Sequence, residues 1–263
     1  MIKSPDLVDF YEREGLAARR YSGARFWERR YHTTRQAIVQ DFLGRAIGPK
    51  TRFVDLGCGS GEYLRFARQL TPHVFGLDLS LNYLHRSRSL PGAHLVRGDV
   101  CRTPFNDHAF DVVLLSEVLE HVPDPDTLVR ELFRLSVRTV LVSTPNEGLI
   151  RRISRRLLRP FVERTDASVG HISILPFDSL LARFQKPGWS VRRAFTLHIF
   201  PPTLDQASVP ASFAPLIRFL ERALDLMFPS LGTISFVLVM NDRPEEWPPQ
   251  DSRLLQSGSQ SLK

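Results

Sequence analysis

The chain has little cysteine and no long apolar run, and each shortage narrows what it can be. Only Cys58 and Cys101 occur in 263 residues, with no CxxC pair or Cys/His ligand spacing around either, so neither a disulfide framework nor a structural zinc site is implied. A membrane-spanning helix needs about 18 consecutive apolar residues, and the apolar runs here are short stretches such as Val112–Leu115 and Phe236–Met240. The first residues hold Pro5 and acidic side chains where a secretory signal needs an uninterrupted apolar core. The expected compartment is therefore the cytoplasm, with room for peripheral contact at the inner face of a membrane.

What is present is an excess of arginine, unevenly placed. The net charge is +7, yet residues 11–35 carry seven Arg against three Glu and residues 151–164 carry six Arg against one Glu, which leaves the remainder slightly acidic. Two appendages are basic and the central chain is not, which argues against an extended nucleic-acid surface.

Between the appendages, short β-rich runs alternate with helical stretches, the pattern of a parallel sheet wound with helices. Strands are predicted at Arg52–Leu56, His73–Leu77, His94–Arg97, Phe110–Leu115, Thr139–Ser143, Val191–Phe200 and Thr233–Met240. Helices are predicted near Thr34–Gly44, Glu62–Gln69, Leu81–Ser87, Asp126–Leu135 and Phe177–Phe184. The expected class is α/β: a Rossmann-like, seven-stranded, mostly parallel sheet with helices on both faces and helical lids. Residues 1–31 read as an N-terminal helical cap and 32–240 as the main domain. Within that domain, 146–175 form a basic lid insertion and 211–228 an amphipathic helix. Residues 241–263, rich in Pro, Ser and Gln, read as a disordered tail.

One motif carries the functional argument. Val54-Asp55-Leu56-Gly57-Cys58-Gly59-Ser60-Gly61-Glu62 closes a β-rich run and opens a helix. Glycines there let the chain turn sharply, so that a ligand can approach the main chain and the helix N-terminus closely. A dinucleotide fingerprint GxGxxG fails from Gly57, because Glu62 stands where its third glycine belongs, and it fails from Gly59 and Gly61 as well. Nicotinamide dinucleotides are thereby disfavoured. The sequence DxGxGxG instead resembles the first motif of class I methyltransferases, where the loop wraps the amino-acid end of S-adenosylmethionine.

That resemblance, to the small-molecule branch that includes ubiquinone-biosynthesis enzymes, implies roles for further residues. Asp78, with Leu79 beside it, closes the second strand, where a carboxylate can accept from both ribose hydroxyls; a helix N-cap is the structural alternative. Asp99 follows the third strand and resembles the residue that accepts from the adenine amino group, with the Val100 amide facing the ring; a turn aspartate is the alternative. In Phe110-Asp111-Val112-Val113-Leu114-Leu115-Ser116-Glu117-Val118-Leu119-Glu120-His121, Ser116 ends the fourth strand, where open α/β sheets place their ligands. The implied cofactor set is Asp55, Gly57, Cys58, Gly59, Gly61, Asp78, Leu79, Asp99, Val100 and Ser116.

Methyl transfer from a sulfonium needs alignment and, for some acceptors, removal of a proton. His121 and His171 are the candidate bases, each weighed against a structural histidine. Glu117, Glu120 and His121 form an ExxEH cluster that resembles a divalent-metal site of some O-methyltransferases, with His171 as a further candidate ligand; the same letters recur in relatives that need no metal, and none is assigned. Around 150–161, Arg151, Arg152, Arg155, Arg156 and Arg159 take one helical arc and Ile150, Ile153, Leu157, Leu158 and Phe161 the other. Such a helix can lie on an anionic membrane or pack its apolar side on the domain.

The resulting expectation is a methyltransferase acting on oxygen of a small, hydrophobic or lipid-linked acceptor. Two rivals remain: a nucleic-acid methyltransferase, which the absence of an Asn/Asp-Pro-Pro-aromatic motif disfavours, and a cofactor-binding protein without turnover.

Overall fold

The computed structural model describes residues 26–88, 90–157, 170–199 and 210–243. Among them runs a seven-stranded sheet of order β3-β2-β1-β4-β5-β7-β6. The strands are β1 (Phe53–Leu56), β2 (Val74–Asp78), β3 (Ala93–Arg97), β4 (Phe110–Ser116), β5 (Ser136–Pro145), β6 (Trp189–Leu197) and β7 (Ile234–Asn241). All neighbours from β3 to β5 pair in parallel. Strand β7 inserts antiparallel between β5 and β6. The expected Rossmann-like class holds, with one strand reversed.

The helices are α1 (Phe26–Ala46), α2 (Glu62–Ala67), α3 (Leu81–Ser87), α4 (Pro125–Leu135), α5 (Leu149–Leu157), α6 (Phe177–Arg183) and α7 (Ala214–Met227). Alternation along β4 divides the core. Val113 and Leu115 join Leu128, Leu132 and Leu135 of α4 and Leu180 of α6 on one face. Val112 and Leu114 join Val39, Phe42 and Leu43 of α1 and Leu64 of α2 on the other. A run of consecutive apolar residues is what a strand buried on both faces requires.

Local chemistry sets several boundaries. Asp124 caps α4 by accepting from the amides of Asp126 and Thr127, with Pro125 as the first helical residue, where its missing N–H costs nothing. Helix α4 runs straight into β5 at Ser136 rather than at the predicted Thr139. Helix α1 already runs at Phe26, ahead of the predicted Thr34, so one helix passes through the predicted boundary between residues 31 and 32. Much of the predicted cap (1–25), the centre of the basic lid (158–169) and the tail from 244 lie outside the described residues, as does Phe200, the predicted end of β6.

Candidate active site

At the end of β1 the chain turns at once, and Gly57, Gly59 and Gly61 take positive φ of 75°, 51° and 78°. Side-chain-bearing residues enter that region at a cost of about 1–2 kcal/mol. The amides of Gly57 and Cys58 both donate to the Leu77 carbonyl, at 2.7 and 3.0 Å, tying the loop to β2. The three glycines differ in what they face. A Cβ on Gly57 would meet Val118 Cγ2 at 2.4 Å, and one on Gly61 would meet Leu90 at 2.7 Å and Ser87 at 2.9 Å. A Cβ on Gly59 would meet nothing within 4 Å. Gly57 and Gly61 therefore serve close packing, while Gly59 borders open space.

Asp78 stands where β2 ends. Its Oδ2 accepts from the Gly59 amide at 2.8 Å and its Oδ1 from the Ser80 amide at 2.9 Å. Ser80, accepting from the Tyr83 amide, is the N-cap of α3, so the capping role weighed for Asp78 belongs to its neighbour. Beneath the loop, burial and then the charge of Asp78 push the Asp55 carboxyl well above its usual range, and its Oδ2 has no hydrogen-bond partner. Such an oxygen is costly to leave alone. The Cys58 side chain lies in the core beneath Gly76 and its thiol is pushed up by burial, so only its backbone remains for a ligand. Asp99 is exposed and accepts from the Cys101 amide at 2.8 Å, with half-buried Val100 between them, which is the geometry of a turn aspartate. The Leu79 carbonyl accepts from Arg97 Nε.

At the end of β4, Ser116 Oγ and Ser143 Oγ lie 2.8 Å apart, and Ser116 Oγ is 3.5 Å from the Tyr63 hydroxyl. Glu117 has φ of 56°, backbone strain of a kind that concentrates at functional sites. Its amide donates to the Ser143 carbonyl, and its carboxylate pairs with Arg35 of α1 at 3.0 Å; burial and then the charge of Glu117 hold the Tyr31 hydroxyl well above its usual range. Burial raises the Glu117 carboxyl and Arg35 opposes the rise.

The ExxEH letters thus separate in space. Glu117 turns to α1, while Glu120 and His121 meet His171, their ligand atoms all within 4.8 Å of one another. Two imidazoles and a carboxylate are a donor set that suits a divalent ion. His121 Nδ1 lies 3.0 Å from the Gly170 carbonyl, which only accepts, so Nδ1 carries the proton and Nε2 the lone pair. Burial lowers the His121 pKa, opposed by that bond. Glu120 Oε1, without a hydrogen-bond partner, is 3.7 Å from His121 Nε2. Burial and then the charge of Glu117 push the Glu120 carboxyl well up, and Thr144 Oγ1 donates to its Oε2.

Residues 54–138, which include the glycine loop, β2, β3 and β4, match the family model described as a methyltransferase domain. Over this segment the chain is similar to that domain. Among relatives, the domain is 33% identical over 94 residues to the demethylmenaquinone methyltransferase of Listeria welshimeri, covering 32% of this chain and 40% of that protein. It is 30% identical over 135 residues to a "probable S-adenosylmethionine-dependent methyltransferase" of Mycolicibacterium smegmatis, covering 50% of this chain and 48% of that protein. The chain thus spans under half the length of these relatives. Among solved structures, it resembles a magnesium protoporphyrin IX methyltransferase of Synechocystis with bound S-adenosylhomocysteine, with a TM-score of 0.64, 13% identity and coverage of 91% of this chain and 100% of that one. The fold is that of class I S-adenosylmethionine-dependent methyltransferases.

The domain gathers the expected cofactor residues along the carboxyl ends of β1 to β4, and His121 meets His171. Sequence reasoning missed the contribution of α1, whose Tyr31 and Arg35 reach Glu117, and of Tyr63 and Ser143 beside Ser116. It also missed a cavity of about 580 Å³ between α1, the end of β6 and α7, lined by Phe26, Leu197 and Ile199 together with charged side chains.

Proposed function

We propose that this chain is an S-adenosylmethionine-dependent methyltransferase that methylates an oxygen of a small, hydrophobic or lipid-linked acceptor. The observation that carries the reading is the glycine loop: Gly59 borders open space while its amide is held by Asp78. When bound, S-adenosylmethionine supplies an electrophilic methyl on a sulfonium. On this reading the loop amides and the unpartnered Asp55 Oδ2 receive its amino-acid end. Asp78 receives the ribose, and Asp99 with the Val100 amide receives the base. Ser116, steadied by Ser143 and Tyr63, borders the methionine portion.

His121 is the proposed base. Its Nδ1 proton is committed to the Gly170 carbonyl and burial favours the neutral ring, so Nε2 is free of a proton and can take one from an acceptor hydroxyl. Glu120 Oε1 then has an imidazolium to pair with at 3.7 Å. His171 packs against His121, ring centroids 5.0 Å apart, and helps fix the ring. The demethylmenaquinone and protoporphyrin enzymes among the relatives and structural neighbours support a small, apolar acceptor.

The test is methyl transfer from labelled S-adenosylmethionine to a panel of lipophilic phenols and lipid-linked compounds. Turnover by the wild type that falls about 10²–10⁴-fold in His121→Asn, the usual worth of a general base, with S-adenosylhomocysteine affinity retained, is the expected result. Turnover on nucleic acid alone would overturn the acceptor assignment.

A further inference from the structure

Helix α7 is amphipathic the wrong way round. At 100° per residue, its inner arc holds Ala214, Ile217 and Glu221, all buried. Leu216, Phe219, Leu220, Leu226 and Met227 fall on the opposite arc and are exposed, Phe219 at 68% and Leu226 at 85%. Phe213 and Phe228, which flank the helix, are exposed as well. The acids of the helix are turned to partners: Glu221 pairs with Arg30 of α1, and Asp225 accepts from the His198 amide and pairs with its ring at 2.9 Å. With polar pairs on its inward side and leucine and phenylalanine gathered on its outer face, the helix is the reverse of one that packs its main apolar stripe on a core.

A second helix adjoins it at one corner. Gly148, the residue before α5, sits so close to the turn after α7 that a Cβ would lie 2.1 Å from the Gly232 carbonyl oxygen. The Asn146 amide donates to Thr233 O, and its side chain to Ser230 and Gly232 carbonyls. Helix α5 exposes Ile153 and, at 73%, Leu157. The exposed charges of the two helices share one sign: Arg152, Arg156, Arg218 and Arg222 are exposed, and none is in an ion pair among the described residues. This corner lies at the end of β5, beyond Ser143 and Thr144, on the sheet edge that carries the glycine loop.

We propose that α5 and α7 form a docking surface for an anionic lipid bilayer. The apolar strip of α7, with Ile153 and Leu157, enters the headgroup boundary and the arginines meet lipid phosphates. Charge complementarity selects this occupant: a bilayer offers an apolar interior under an anionic surface, and both helices present apolar groups with cations and no exposed acid. The inference stands apart from the methyl-transfer reading, although such a surface would bring the sheet edge to a lipid-borne acceptor.

The experiment is flotation of the full chain with vesicles of phosphatidylcholine alone or mixed equally with phosphatidylglycerol. It is run beside size-exclusion chromatography without vesicles, and a circular dichroism melt checks each variant's fold. The wild type is expected to float with the mixed vesicles and not with phosphatidylcholine alone. Leu216→Ser/Phe219→Ser/Leu226→Ser is expected to abolish flotation with its melt unchanged. Arg218→Gln/Arg222→Gln is expected to weaken binding about 25-fold, at about fivefold per arginine near a charged surface. Wild type that stays in solution, or a triple variant that still floats, overturns the proposal. So does a wild-type dimer, without flotation, that the triple variant converts to monomer, which assigns the strip to a second copy. Calorimetry with S-adenosylhomocysteine, run without lipid, reports separately on the methyl-transfer reading.

Discussion

Two glycines of one loop should fail in opposite ways when given a methyl group. Both Gly57 and Gly59 have positive φ, so alanine at either carries a backbone cost of about 1–2 kcal/mol. At Gly57 the new Cβ also falls 2.4 Å from Val118 Cγ2, and overpacking of that kind adds about 1–3 kcal/mol. Gly57→Ala should therefore lose about 2–5 kcal/mol in a urea melt, a large part of the ~5–15 kcal/mol that holds such a domain together. Val118→Ala added to it should return at least about 1 kcal/mol, a coupling visible in a double-mutant cycle. Gly59→Ala meets no atom of the protein and should lose only the backbone cost. Its Cβ enters the space assigned to the cofactor, however, so affinity for S-adenosylhomocysteine should fall by at least about tenfold, or ~1.4 kcal/mol. Equal stability of the two alanine variants, or wild-type affinity in Gly59→Ala, would refute this division of labour.

Two further outcomes follow from buried titratable groups. Burial and the nearby Arg35 lower the His32 pKa to about 4, against an ordinary value near 6.5, so from about pH 6.5 down to 4 the unfolded chain holds a proton that the folded one does not. Stability should fall with acidity across that window by up to about 3 kcal/mol, and His32→Gln should flatten the slope in urea melts at pH 5 and 7.5 relative to wild type. Burial raises Glu131, but bonds from Arg134 and from the Thr103 amide and hydroxyl outweigh it and hold its carboxyl below its usual range. Its contribution is thus present above the ordinary carboxylate pKa and lost as pH falls through the folded value. Glu131→Ala, which leaves the Thr103 amide buried and unpaired, should cost about 1–3 kcal/mol in a denaturant melt at pH 7.

The parts of the proposed cofactor site could be located from the sequence because each of them is local. The glycine loop is one turn of chain, and Asp78, Asp99 and Ser116 each close or follow a strand whose apolar run can be read directly, so parallel strand order brings their ends to one edge. Residues that depend on distant pairing were not legible. Nothing in the spacing of Tyr31 and Arg35 announces Glu117, some eighty positions along the chain, and the ExxEH letters gave no sign that Glu117 would leave the group for α1 while His171 joined it. Helix α7 shows the same limit. Its periodicity marks an apolar stripe, and a stripe ordinarily faces a core, but which face turns inward was decided by Arg30 and His198 claiming Glu221 and Asp225.

The central claim is that the loop and Asp78 form the seat of S-adenosylmethionine, and calorimetric titration of the full chain with S-adenosylhomocysteine tests it most directly. Saturable binding by the wild type is expected at micromolar concentrations, about −8 kcal/mol, weakened at least about tenfold in Asp78→Ala with the fold intact. A folded wild type that takes up no S-adenosylhomocysteine, or an Asp78→Ala variant that binds it as well as the wild type, would contradict the account.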